Sequence, residues 1–313
     1  MKRSHPGILA SILLAWAAFP AAPSAQSPTA PAHKASFRSA ADLVTIQASV
    51  RDPRGRPMPG LTANDFEVRD NGELRPVFSV RNDQSPLSLA VLVDMSGSMR
   101  LSSKISMVRQ TFDALVSQLR PGEDEAAIFT FDASLHERHD FTSDPEQLRN
   151  ALAEFQPFGT TSLYDATAET ARRLSARSAT RKAIIVLTDG IDTSSLMTAT
   201  EVSGLASSID VPVYVVATVP AIDRRTLTED TRRTATSESG DLRDLANWTG
   251  GQVIFATTFT ESTAVASGVV SELRQQYVLA IEAANAPEWH RLDIRVKRPA
   301  SATVKARSGY FGG

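Results

Sequence analysis

The chain has no cysteine among its 313 residues. That excludes a disulfide framework, thiol nucleophiles, zinc–thiolate centres and a lipid anchor attached through cysteine. Aromatic residues make up only 6%. No apolar run of about 20 residues follows the N-terminal region, so no permanent transmembrane helix is expected there. An excess of either charge is missing too: 33 Lys and Arg stand against 35 Asp and Glu, a formal net charge of −2. This balance argues against general binding to nucleic acid or to an anionic membrane. The G-x-S-x-G elbow and the Walker phosphate loop are also absent.

What is present fits an ordinary globular protein, with 42% hydrophobic and 22% charged residues, long enough for one large domain or a large and a small one. Lys2 and Arg3 precede an apolar run from Ile8 to Phe19, and small residues follow at Ala22-Pro23-Ser24-Ala25. That pattern predicts an export signal over 1–25, followed by a Pro-, Ala- and Ser-rich linker over 26–36. The mature chain is therefore expected in the periplasm or outside the cell, with no transmembrane helix after signal cleavage.

Two styles of patterning divide the rest. Over 37–85, Val44, Ile46, Ala48 and Val50 alternate with Thr45, Gln47 and Ser49, which predicts a half-buried strand. Phe66 and Val68 predict a second strand that enters the turn Asp70-Asn71-Gly72, and Phe78 and Val80 a third. From 86 to 275 strands alternate with helices, the pattern of a doubly wound α/β domain with a mainly parallel sheet. Asp144-Pro145 and the Thr198/Glu201 pair read as helix starts, and Thr260 as the cap of a final helix to about Gln275. The polar stretch Pro220 to Gly240 reads as a surface loop. Over 276–313 alternation returns in three strands, around Tyr277–Ile281, Leu292–Val296 and Val304–Ala306. Neither end carries enough strands to be stable alone, so the two are expected to pack together as one small β-sandwich.

The chemistry concentrates in Leu89-Ala90-Val91-Leu92-Val93-Asp94-Met95-Ser96-Gly97-Ser98-Met99. An apolar strand runs into Asp94, Ser96 and Ser98, which offer one carboxylate and two hydroxyls at alternating positions. Such oxygen donors suit a hard cation such as Mg²⁺. The D-x-S-x-S spacing after an apolar strand resembles the von Willebrand factor type A (VWA) family with a metal-ion-dependent adhesion site. Phe158-Gly159-Thr160-Thr161-Ser162-Leu163-Tyr164-Asp165-Ala166 resembles that family's second loop, with Thr161 in the ligand slot. Ala183-Ile184-Ile185-Val186-Leu187-Thr188-Asp189-Gly190 resembles the third, with Asp189 as ligand. Gly60-Leu61-Thr62, Asp65-Phe66-Glu67-Val68 and Asp70-Asn71-Gly72 resemble the N-terminal block of the exported VWFA-related acidobacterial domain proteins, and Leu273-Arg274-Gln275-Gln276-Tyr277 and Ala306-Arg307-Ser308-Gly309-Tyr310 resemble their closing block.

The resemblance implies a Rossmann-like VWA domain set between two β segments. It implies a metal held by Asp94, Ser96, Ser98, Thr161 and Asp189, with Mg²⁺ as the ion and Mn²⁺ or Ca²⁺ as alternatives. A coordination position left to water, or to a carboxylate from a protein partner, makes the chain a protein-binding module rather than an enzyme, and the final helix of related domains shifts with ligand. An aspartate-based phosphatase would need a second carboxylate two residues after Asp94, where Ser96 stands. A structural envelope scaffold is the other alternative. Asp192 reads as a turn former, with a place behind the ligands as the alternative, Asp165 as a residue capping or charging the first turn of its helix, and Asp132 as solvent-facing or behind the ligands. His136 and His139 lack further zinc ligands and read as solvated; Trp248 and Trp289 read as packing residues.

Overall fold

The computed structural model describes residues 43–82, 85–100, 102–152, 156–179, 181–189, 192–218, 241–284 and 286–312. The expected signal and linker, and the expected loop at 220–240, lie outside these residues.

The central sheet is built from β5 (Leu87–Asp94), β6 (Glu125–Phe131), β7 (Leu135–Thr142), β8 (Arg181–Thr188), β9 (Val213–Thr218) and β10 (Gln252–Ala256), in the order β10-β9-β8-β5-β6-β7. All neighbours are parallel except β6 and β7. Every residue of β5 is buried, because the sheet is covered on both faces. Leu89, Val91 and Val93 enter one core with Phe112, Leu115 and Val116 of α1 (Ser102–Ser117). Ala90 and Leu92 enter the other with Leu163, Ala171 and Leu174 of α3 (Leu163–Ser175). Burial on both sides is why these strands read as unbroken apolar runs in the sequence.

Further helices are α2 (Pro145–Asn150), α4 (Ala199–Ser208), α5 over 241–249 and α6 (Phe259–Gln275). Asp144 caps α2 through Glu146 N–H, and Thr198 and Glu201 form a reciprocal capping box on α4. The start of α6 differs from expectation. Thr258, not Thr260, accepts the Glu261 N–H, while Glu261 accepts from the N–H and hydroxyl of Thr257. The carboxylate three residues after the cap fixes the boundary, so the helix begins two residues early.

The ends of the chain form two antiparallel four-stranded sheets. One has the order β13-β1-β11-β4 and the other β14-β12-β2-β3. Their strands are β1 (Leu43–Arg51), β2 (Phe66–Asp70), β3 (Glu73–Arg75), β4 (Val77–Arg81), β11 (Tyr277–Glu282), β12 (Trp289–Val296), β13 (Thr303–Ala306) and β14 (Gly309–Phe311). Each sheet takes strands from both ends, and a shared core joins Ile46, Ala48, Tyr277 and Leu279 of one to Phe66, Val68, Leu292 and Tyr310 of the other. This is the expected sandwich.

The expected hairpin turn is present, and three details beyond it were not foreseen. The turn Asn71-Gly72 has φ of 49° and 87°, as a two-residue hairpin requires. Beyond it the expected third strand is split: β3 pairs with β2 and β4 with β11, with Pro76, which has no N–H to donate, at the break. A further strand, β14, closes the chain against β12. And β1 is buried on both faces, not one, because Gln47 and Ser49 turn toward the α/β domain. The Gln47 side-chain amide donates to the carbonyls of Asp210 (2.8 Å) and Lys182 (3.4 Å).

A polar joint ties sandwich to α/β domain. Arg51 pairs with Glu272 of α6 at 2.5 Å, and Glu272 also accepts from the Tyr214 hydroxyl. Arg307, 4% exposed, donates to the carbonyls of Ser207 and Thr45 and lies 3.5 Å from Asp210. Helix α6 passes through the single residue Gln276 into β11, so it is covalently continuous with the sandwich.

Candidate metal centre

Strand order alone nominates a site. From β5 the chain moves outward to β6 on one side, then crosses to β8 on the other, so β5 and β8 flank the reversal of the sheet. In open α/β sheets, ligands bind at the carboxyl ends of strands at that point. Asp94 ends β5 and Thr188 ends β8.

Asp94 is fully buried. Its Oδ1 accepts the Ser96 N–H at 2.8 Å and its Oδ2 the Thr188 hydroxyl at 2.6 Å. The Ser96 and Ser98 hydroxyls lie 3.0 Å apart, with Ser96 buried and Ser98 exposed. The second loop is docked on the first: Phe158 N–H donates to Met95 O at 2.6 Å and Gly97 N–H to Gly159 O at 3.0 Å. This brings in Thr161, which is 3% exposed, while Thr160 faces solvent. Asp189 follows Thr188 directly, and its side chain is 4% exposed. The structure thus places Asp94, Ser96, Ser98, Thr161 and Asp189 on three loops at one edge of the sheet.

The charge state follows from these surroundings. Burial pushes the Asp94 carboxyl up to about 6; hydrogen bonds from Thr188 and Ser96 pull it down, and the Asp189 charge adds to the rise. Ligand fit rests on Asp189. Its Oδ2 accepts from the Lys104 ammonium at 3.0 Å, but its Oδ1 is buried with no hydrogen-bond partner among the described residues. A buried carboxylate oxygen left this way is costly unless something binds it. Two carboxylates and three hydroxyls are hard donors, so the residues fit a hard divalent cation. Among the described residues no group of three His, Cys, Asp or Glu side chains gathers elsewhere as an alternative centre.

Thr188 and Lys104 escaped the sequence reading. Thr188 was hidden as the last residue of a strand. Lys104 carried a signal, since a cation in the first turn of α1 opposes the helix dipole and calls for a local anion. It also donates to Ser98 O at 3.2 Å, spanning the first and third loops.

The neighbouring residues mostly take structural roles. Asp192 accepts from Ser195 N–H and hydroxyl and from Tyr164 N–H, bracing the third loop against α3 as a turn former. Asp165 lies in the first turn of α3, as expected, and its carboxylate also accepts the N–H groups of Leu196 and Met197, holding that loop. Asp132 accepts Ser134 N–H in the β6–β7 turn. His136 and His139 lie on β7 opposite Thr130 and Ile128, either side of a bulge, and among the described residues no group of three His, Cys, Asp or Glu gathers there to hold a metal. Trp248 and Trp289, expected to pack, remain 37% and 40% exposed. The Trp289 ring nevertheless covers Gly309 so closely that a Cβ there would meet it at 2.5 Å.

Residues 89–192 match the family model for the von Willebrand factor type A domain, which places a VWA domain in this chain. No curated protein sequence matches. Among solved structures, the von Willebrand factor type A protein from Catenulispora acidiphila is 13% identical over 86% of this chain and 73% of that one, with a TM-score of 0.51. The vWF domain of the type V pili tip protein Mfa5 from Porphyromonas gingivalis is 13% identical over 61% and 97%, at 0.46. Proximal thread matrix protein 1 from the mussel byssus, with a zinc-occupied metal site, is 18% identical over 64% and 48%, at 0.49. At such identities the likeness is one of fold.

Proposed function

We propose that the chain is an exported, divalent-metal-dependent protein-binding module. Asp94, Ser96, Ser98, Thr161 and Asp189 hold Mg²⁺, directly or through water, and a partner protein supplies a carboxylate to the ion. The observation that carries this reading is the buried, unpartnered Oδ1 of Asp189 beside the Asp94 loop at the sheet's switch point. Export rests on the N-terminal sequence, with 1–25 as signal and 26–36 as linker. The VWA portion is taken as 86–275 between β segments 37–85 and 276–313, in the manner of the exported acidobacterial group. No helix among the described residues is long and apolar enough to cross a membrane.

No catalytic role is assigned, because Ser96 occupies the place where a phosphoryl-transferring aspartate site needs its second carboxylate. The scaffold reading has one observation on its side: Lys104 already sits against Asp189, so the fold does not depend on a metal to neutralise that group. Calorimetric titration with Mg²⁺ and Mn²⁺ separates the two. Saturable binding to the wild type, lost in Asp94→Ala, is expected for the binding module. No heat in either protein would leave the scaffold reading.

A further inference from the structure

We propose that Lys104 is a built-in counter-cation that makes binding of the divalent ion and of an anionic ligand interdependent. The inference rests on the metal-site reading above and adds how that site chooses what it holds.

Lys104 is placed as a fixed part of the site. It stands in the first turn of α1, with its side chain 12% exposed, and its ammonium bonds Asp189 Oδ2 at 3.0 Å and Ser98 O at 3.2 Å. It therefore links the loop that carries Asp94, Ser96 and Ser98 to the loop that carries Asp189. Only Oδ2 is used, which leaves the buried Oδ1 of the same carboxylate for a second cation. The ammonium and the ion are thus neighbours on one carboxylate, in a setting where burial weakens solvent screening.

The charge count decides the consequence. Among the described residues, the Asp94 and Asp189 carboxylates contribute −2 and the Lys104 ammonium +1, so these three groups sum to a charge of −1 before an ion binds. A divalent ion takes it to +1, which is unfavourable in a buried position without an anion. A carboxylate from outside brings it to zero. The ion alone is therefore held weakly, and the ion with a carboxylate is held well; by linkage each raises the other's affinity by the same factor. Without Lys104 the ion alone would already balance the two aspartates, and the added anion would gain nothing. Lys104 thus selects acidic ligands by withholding full neutralisation from the metal.

The test is titration of Mn²⁺ into the wild-type chain, Lys104→Met and Lys104→Arg, with acetate as the carboxylate probe and acetamide as its neutral control. In the wild type, saturating acetate is expected to tighten Mn²⁺ binding by roughly fivefold or more, the low end of measured site–site coupling. In Lys104→Met, Mn²⁺ alone is expected to bind about tenfold tighter, with the acetate effect lost. Lys104→Arg keeps the charge and should behave as the wild type. Should Lys104→Met fail to fold, Lys104→Gln retains a donor to Asp189 without the charge and carries the same expectation. Equal Mn²⁺ affinity and equal acetate effects in the wild type and Lys104→Met would overturn the role of Lys104 while leaving the metal site standing. Absence of Mn²⁺ binding in every variant would instead overturn the metal-site reading, and this proposal with it.

Discussion

Asp94→Asn is expected to make the metal-free protein more stable and the metal-loaded protein less stable than the wild type. The Asp94 carboxyl has its affinity for a proton raised to about 6 in the folded chain, chiefly by burial. A carboxyl raised on folding contributes stability below its unfolded value, near 4, and loses it as pH climbs through 6. Across that window the loss is on the order of 3 kcal/mol, at about 1.4 kcal/mol per pH unit. Near pH 7 the metal-free wild type therefore carries a buried, costly charge. Asparagine removes the charge but replaces one acceptor with an amide beside Ser96 N–H or the Thr188 hydroxyl. A net gain of about 1–2 kcal/mol, or a few degrees in Tm, remains. A divalent ion at a hundred times its Kd stabilises the wild type by about 2.7 kcal/mol and should do nothing for the mutant. Thermal melts at pH 7 with chelator and with excess Mn²⁺ should cross. A mutant less stable than the wild type in chelator would mean that Asp94 is held by bonds, not poised for an ion.

The second large effect lies far from the site. Arg307→Met should cost about 3–5 kcal/mol, the loss measured when one member of a buried ion pair is removed. The guanidinium satisfies the carbonyls of Ser207, Ser208 and Thr45 and stands beside Asp210, whose side chain is 13% exposed. Thr45 lies on β1 of the sandwich while Ser207, Ser208 and Asp210 lie at or just after the end of α4, so the loss falls on the joint between sandwich and α/β domain. Denaturant unfolding should lose its single transition or shift strongly to lower midpoint. Arg295→Ala provides the contrast: its pair with Asp293 is exposed on both sides, 70% and 43%, and should change stability by no more than about 0.5 kcal/mol.

The parts of the fold legible from sequence were those whose signal is local. Strands β5, β8 and β9 announce themselves as apolar runs because helices cover both faces. The union of the chain ends was legible from strand count, since three-stranded fragments have too little to bury. The second face of β1 was not legible, because its cover comes from Asp210, 163 residues away. The same holds for Asp165, which looks like an ordinary helix-start acid until the loop at 196–197 folds onto it.

The site divides along the same line. Oxygen donors at the ends of apolar strands are a local pattern that marks Asp94, Ser96, Ser98 and Asp189, whereas Thr161 is marked only by the resemblance of its loop to the family's second loop. The charge that surrounds them is not local. Lys104 meets Asp189 across 85 positions, and Thr188 meets Asp94 across 94. Those two contacts set how the carboxylates are presented, and only the packed sheet brings them together.

The most direct measurement is a crystal of the mature chain grown with Mn²⁺, with anomalous diffraction recorded at the manganese edge. A single strong peak bounded by Asp94, Ser96, Ser98 and Thr161, with Asp189 Oδ1 on the ion or on a water bound to it, is expected. A chain that crystallises with Mn²⁺ and shows no peak there, or shows one only elsewhere on its surface, would contradict the metal centre.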